Sequence, residues 1–241
     1  MTKSTSLSAY IGGGSLADID RAAFQKGLSE GVNAEGTSAP GEDGKLFLNF
    51  SGKRGVYALG QDKSDVGTDV VCLVSALSFF QGWTCWKAGK VVGREYWASH
   101  RTRDAEVARE DLEDHGPYKG DSDGWVYTRG FTCMPLTTPA PKPDKQEQWE
   151  FSSTSKSGRN AVRGLMEKVQ GRLDEGTDAL QPIIRFDREE FVAQDHKNFA
   201  PKFPIDLWPS DKVLVAYFKD KLSLDDLLAG AEKPAKKKKA A

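Results

Sequence analysis

Cysteine is scarce in this chain of 241 residues: Cys72, Cys85 and Cys133 cannot all pair and form no C-x-x-C. That excludes a disulfide scaffold and a zinc knuckle and fits a reducing, cytoplasmic setting. Long apolar runs are missing as well. The densest patch, Val70-Val71-Cys72-Leu73-Val74, falls far short of the roughly 18 residues of a membrane span, so no membrane partner is expected. The start, Met1-Thr2-Lys3-Ser4-Thr5, has no apolar core of a secretory signal. Strong charge of one sign is also absent, with 34 basic residues against 35 acidic ones. Residues 231–241 hold five lysines and one glutamate, so the body before them is mildly acidic. A uniformly basic nucleic-acid binder is thereby excluded, although local basic faces are not.

Catalytic motifs are wanting too. There is no G-x-G-x-x-G, no G-x-x-x-x-G-K-[ST], no H-E-x-x-H and no G-x-S-x-G. His100, His115 and His196 are scattered and read as surface residues. Acidic clusters at Asp62/Asp65/Asp69, Glu110/Asp111/Glu113/Asp114 and Asp121/Asp123 read as solvated faces and turns. Convergence of such acids would be the mark of a metal-dependent nuclease. Neither catalysis, nor a cofactor, nor a metal is expected.

What is present is organised in three parts. Residues 1–44 read as an arm with a short helix near 16–29, capped by Ser15 and Asp18. Residues 45–230 carry the domain, and 231–241 form a basic, disordered tail. Within the domain, Leu46, Leu48 and Phe50 alternate with Lys45, Phe47 and Asn49, which with Arg54 to Leu59 makes a hairpin. Val70 to Ala76 is a further strand. Phe79 to Trp86 and Lys90 to Trp97 form a second hairpin, closed by a turn containing Gly89. A charged insertion near 99–124 is expected to be an exposed helix or a mobile segment. Trp125 to Cys133 resumes the strand pattern, and a proline-rich loop follows near 134–146.

Trp149 to Ser152 reads as a strand end running through serines into a helix from Gly158 or Arg159. Val162, Leu165, Met166, Val169 and Leu173 make one apolar stripe on that helix. Strands are predicted at Pro182 to Phe186 and Lys212 to Phe218, and Ser223 caps a last helical turn. The fold class is α+β, mostly antiparallel β: an OB-like Greek-key barrel elaborated with helices and long loops.

The 6 Trp, 6 Tyr and 12 Phe fall largely beside basic residues on these strands. Trp125, Tyr127, Arg129 and Phe131 share one side of a strand. On the second hairpin both faces carry rings. One face must pack inward, leaving the other to show aromatics to water, which a ligand would cover. Rings interleaved with cations suit single-stranded nucleic acid, whose bases stack at roughly 1–3 kcal/mol each while cations track the phosphates. The candidate binding residues are Lys45, Phe47, Lys53, Arg54, Tyr57, Trp86, Lys87, Lys90, Arg94, Tyr96, Tyr127 and Arg129, with Lys156, Arg159 and Arg163 on the helix. The competing explanation of any one aromatic face is core packing. A different use of exposed rings would be a structural or protein-interaction module.

Four segments carry a family likeness: Arg54-Gly55-Val56-Tyr57-Ala58-Leu59-Gly60; Gly82-Trp83-Thr84-Cys85-Trp86-Lys87-Ala88-Gly89-Lys90-Val91; Trp149 through Arg159; and Pro182-Ile183-Ile184 through Phe203-Pro204-Ile205-Asp206-Leu207-Trp208. In order and texture they resemble the OB-fold single-stranded DNA-binding proteins of tailed bacteriophages. The resemblance implies a barrel that coats single-stranded DNA without sequence preference during phage replication or recombination. Phage replication or recombination proteins would be its partners. The acidic, partner-recruiting tail of that family is replaced by Lys236-Lys237-Lys238-Lys239. This departure implies an added electrostatic contact with DNA or a solubilising end.

Overall fold

Hydrophobic alternation on one side and small or polar residues on the other give the main sheet an aromatic core against one face and an open opposite face. The computed structural model describes residues 45–60, 63–99, 107–120, 123–142, 146–193 and 195–230. The expected arm, its helix at 16–29 and the lysine tail lie outside the described residues.

The strands are β1 (Leu46–Ser51), β2 (Val56–Leu59), β3 (Ser64–Asp65), β4 (Val71–Val74), β5 (Phe80–Lys87), β6 (Lys90–Ala98), β7 (Gly124–Pro135), β8 (Trp149–Ser153), β9 (Ile183–Arg185), β10 (Asp187–Ala193), β11 (His196–Lys202) and β12 (Ile205–Leu207). The helices are α1 (Lys156–Asp174), α2 (Asp211–Phe218) and α3 (Leu224–Leu228). Ten strands form one sheet in the order β12-β9-β4-β7-β8-β1-β2-β3, with β5 and β6 branching from β7. All its pairings are antiparallel except β1 with β8. The long β7 pairs with β5 through Gly124–Gly130 and with β4 through Cys133–Pro135, so it must bend between them. The result is a mostly antiparallel, curled sheet forming a half-barrel.

The convex side carries the core. Leu48, Tyr57, Phe131, Phe151, Phe186 and Phe203 meet there against Val162, Leu165, Met166, Val169 and Leu173 of α1. Burying each such side chain stabilises the fold by roughly 1.5–3 kcal/mol. The predicted stripe on α1 is the buried one. Its start is fixed by Ser155, whose hydroxyl accepts the Gly158 N–H at 3.1 Å.

Both predicted hairpins form. Ala88 and Gly89 turn the second one with φ of 51° and 75°, the positive values such a turn demands. Two sequence expectations are corrected, and one element was not foreseen. Lys212 to Phe218 lies in the helix α2, where Leu214, Tyr217 and Phe218 are buried against Ile183 and Leu227. Nearly every residue from Val213 to Phe218 is apolar, so period two and period 3.6 fit the run equally well. The hairpin β10–β11 is an element that alternation could not signal, because β10 is exposed along its whole length. The described part of the charged insertion is extended, with one 3₁₀ turn at Arg109–Asp111. It is packed down by Trp125, whose indole donates to the Glu113 carbonyl at 2.9 Å. Among the described residues, no helix is long and apolar enough to cross a membrane.

Candidate functional site

Residues directly opposite in a ladder share a face, and the registers therefore define the concave side. Gly82, Thr84 and Trp86 of β5 face Tyr96, Arg94 and Val91 of β6 and Thr128, Val126 and Gly124 of β7. On β8, Ser152 faces Gly130 and Glu150 faces Thr132, and Phe47 of β1 aligns with Glu150. The middle of this face is thus glycine, threonine and serine. Thr84, Thr128 and Ser152 leave room over the sheet there, while the Phe80 ring fills the space at Gly130 and the β6 backbone fills that at Gly82.

The hollow is a groove of about 1310 Å³. Phe47, Asn49 and Phe50 line it from β1; Thr84, Trp86, Lys90, Val91, Arg94 and Tyr96 line it from the second hairpin. Ser152 to Ser155 and Ser157 line the end where α1 begins, and Lys63, Phe191, Asn198 and Phe199 complete it. In its floor, Thr84 Oγ1 lies 2.7 Å from both the Tyr96 hydroxyl and Thr128 Oγ1, so these buried hydroxyls satisfy one another. The Arg94 guanidinium stands 4.5 Å from the Phe47 ring centroid. Glu150 is 5 % exposed. Burial pushes its carboxyl above the usual range, and Lys45 and Arg94 pull the other way.

At the serine end, Ser153 and Ser155 hydroxyls are 3.0 Å apart, and the first turn of α1 holds no acidic residue. The positive end of that helix is therefore uncompensated by its own side chains. Lys156 is exposed beside it.

Of the fifteen candidates, the groove gathers Phe47, Trp86, Lys90, Arg94 and Tyr96. Lys45 is half-buried near Glu150, while Lys53 and Arg54 are exposed on the β1–β2 turn. The others, apart from exposed Lys156 at the start of α1, have structural duties. Tyr57 is a correction: it is fully buried, stacked on Phe186 with ring centroids 4.9 Å apart, because its position in the ladder faces the core. Tyr127 and Arg129 are likewise buried, at 8 % and 6 % exposure, on the convex side with Phe131. Tyr96 lines the groove yet is nearly sealed, its hydroxyl committed to Thr84.

Three cations are also tied to the protein itself. Lys87 donates to the His115 and Gly116 carbonyls. Arg159 bonds the carbonyls of Tyr127 at 3.1 Å and Thr154 at 2.9 Å. Arg163 pairs with Glu167 at 2.9 Å. Lys63, Asn198, Phe191 and Phe199 were not legible as site residues. Lys63 sits in a polar loop, and the other three ride on the hairpin that the sequence did not reveal. Among the described residues, no three His, Cys, Asp or Glu side chains are grouped to hold a metal ion.

Comparison with protein-family models, curated proteins and solved structures gives no match.

Proposed function

We propose that the groove binds single-stranded DNA without sequence preference and without catalysis. On this reading the half-barrel is an OB-type barrel, and the role is that implied by the resemblance to phage proteins: protecting the strand during replication or recombination. One observation carries the reading: a single open groove collects the rings of Phe47, Trp86 and Phe199 with the cations of Lys63, Lys90 and Arg94. Each base has a flat apolar face and each nucleotide one negative charge. A site that alternates rings with cations satisfies both and discriminates little among bases. The serine end of the groove is polar and lies beside the start of α1, whose first turn holds no acidic residue, which suits a phosphate there.

Fluorescence anisotropy with a labelled oligothymidine tests this. Binding at low salt that weakens steeply as salt rises is expected, since every phosphate neutralised releases condensed counterion. Failure to bind at low salt overturns the assignment.

A further inference from the structure

The hairpin β10–β11 stands apart from the main sheet, its seven facing pairs joined to each other alone. A two-stranded hairpin is marginally stable in water by itself, so its anchors decide its position. They run from its base to its middle pair, Glu190 with Phe199. The Tyr57 hydroxyl is 2.7 Å from the Asp187 carbonyl oxygen and 3.3 Å from that of Lys202. The Phe199 N–H donates to the Gly52 carbonyl at 2.7 Å, and Arg188 donates to that of Gly55. The Phe199 ring seats directly on Gly55, where a Cβ would come within 2.7 Å of it. These contacts tie the hairpin to the β1–β2 turn, β11 also packs against α1, and none of the named hydrogen bonds reaches beyond the Glu190–Phe199 pair.

The far half carries Phe191, 40 % exposed and yet part of the groove lining, next to Val192, 72 % exposed and outside it. A lone exposed ring means little. This one belongs to an element with no core of its own and faces a groove that already holds Phe47, Trp86 and Arg94. Farther in, Phe199 is flanked by cations, with Lys197 Nζ and Arg188 Cζ each 5.3 Å from its centroid. The hairpin therefore adds the rings of Phe191 and Phe199 to the groove, while its cations are committed, Lys197 to Glu190 at 2.6 Å and Arg188 to the Gly55 carbonyl.

We infer that β10–β11 is a clamp on the groove and that Phe191 is a stacking platform for a base of the strand held there. The inference rests on the single-stranded DNA reading and adds to it a wall, a ring and a kinetic role. A strand lying between the hairpin and the β1 and β5–β6 surfaces must slip past Phe191 to leave. Loss of the ring then acts on release more than on encounter.

Stopped-flow dissociation of a labelled oligothymidine from the full chain is the test. Phe191→Ala should release the strand roughly tenfold faster, with association little changed, given the size of one base–ring stack. Phe191→Leu keeps an apolar side chain without a ring and should behave like Phe191→Ala, whereas Val192→Ala should match the native protein. Phe191 is exposed, so these variants keep the fold, and a thermal melt verifies it. Native release rates for Phe191→Ala, together with weakened binding by Trp86→Ala, overturn the clamp and leave the groove standing. Absence of binding by the native chain removes the groove reading and the clamp together.

Discussion

The Arg94 guanidinium lies 4.5 Å from the centre of the Phe47 ring, linking β6 to β1, two strands that share no ladder. Phe47 in turn aligns with buried Glu150, whose carboxyl feels the charge of Arg94. Cation, ring and carboxylate thus meet at one corner of the groove. The contact is partly exposed, and such pairs contribute about 0.5–1 kcal/mol.

Arg94→Ala should therefore cost the fold little and cost DNA binding more. The plot of log affinity against log salt should lose about one phosphate's worth of slope relative to the native protein. Identical slopes for the two proteins would place Arg94 outside the contact with the strand.

Trp86 stands on the groove lining, and its removal takes away a stacking surface. Trp86→Ala should weaken oligothymidine binding by roughly tenfold or more. Lys236→Ala removes one of five lysines near the end of the chain and should weaken it less. Titration followed through tryptophan quenching measures both. Equal or reversed losses would assign the affinity to the tail's charge.

Glu150 gives stability a defined dependence on pH. Burial raises its carboxyl above the ordinary value of 4.5, against the opposing pull of Lys45 and Arg94. A carboxyl raised on folding holds its proton more tightly in the native state than in the unfolded one. Its contribution is complete below the ordinary glutamate range and is lost as pH climbs through the raised value. Urea melts should show Glu150→Gln losing less stability than the native protein between pH 4 and pH 7. Parallel curves would contradict the assignment.

Tyr57 is the hinge pin of the β10–β11 hairpin. Tyr57→Phe leaves the ring in the core but withdraws the donor from the Asp187 and Lys202 carbonyls. The expected cost is about 1–2 kcal/mol. Hydrogen exchange should reveal faster exchange at Asp187 to Lys202, with the α1 amides protected as before. Uniform loss of protection would show that the hydroxyl supports the whole core and not the hairpin's base.

Much of this architecture was legible because burial on one side leaves a period. Leu48 inward and Phe47 outward follow from alternation alone, as does the stripe from Val162 to Leu173. Legibility failed where that one-sided burial failed. The run Val213 to Phe218 is apolar on every side, so nothing in it separates helix from strand. In the hairpin β10–β11, β10 is exposed along its whole length and β11 is covered over one continuous stretch from Asn198 to Pro201, so neither strand left a period of two.

The candidate site divides along the same line. Neighbouring positions on one strand could be assigned to a face, but which face became groove depended on contacts far along the chain. Tyr57 and Phe47 both sit beside basic residues in sequence. Tyr57 went into the core because Phe186 and Phe203, some 130 residues later, close over it.

The sequence by itself determined the strand and helix content of β1, β2, β4 to β9, α1 and α3, and the pairing of rings with cations, because backbone geometry imposes those periods locally. Only the tertiary structure decided which rings stay open to a ligand. That choice belongs to the curl of the sheet, set by small residues such as Gly82, Thr84, Thr128 and Gly130 on its concave face and by the remote aromatics packed behind it.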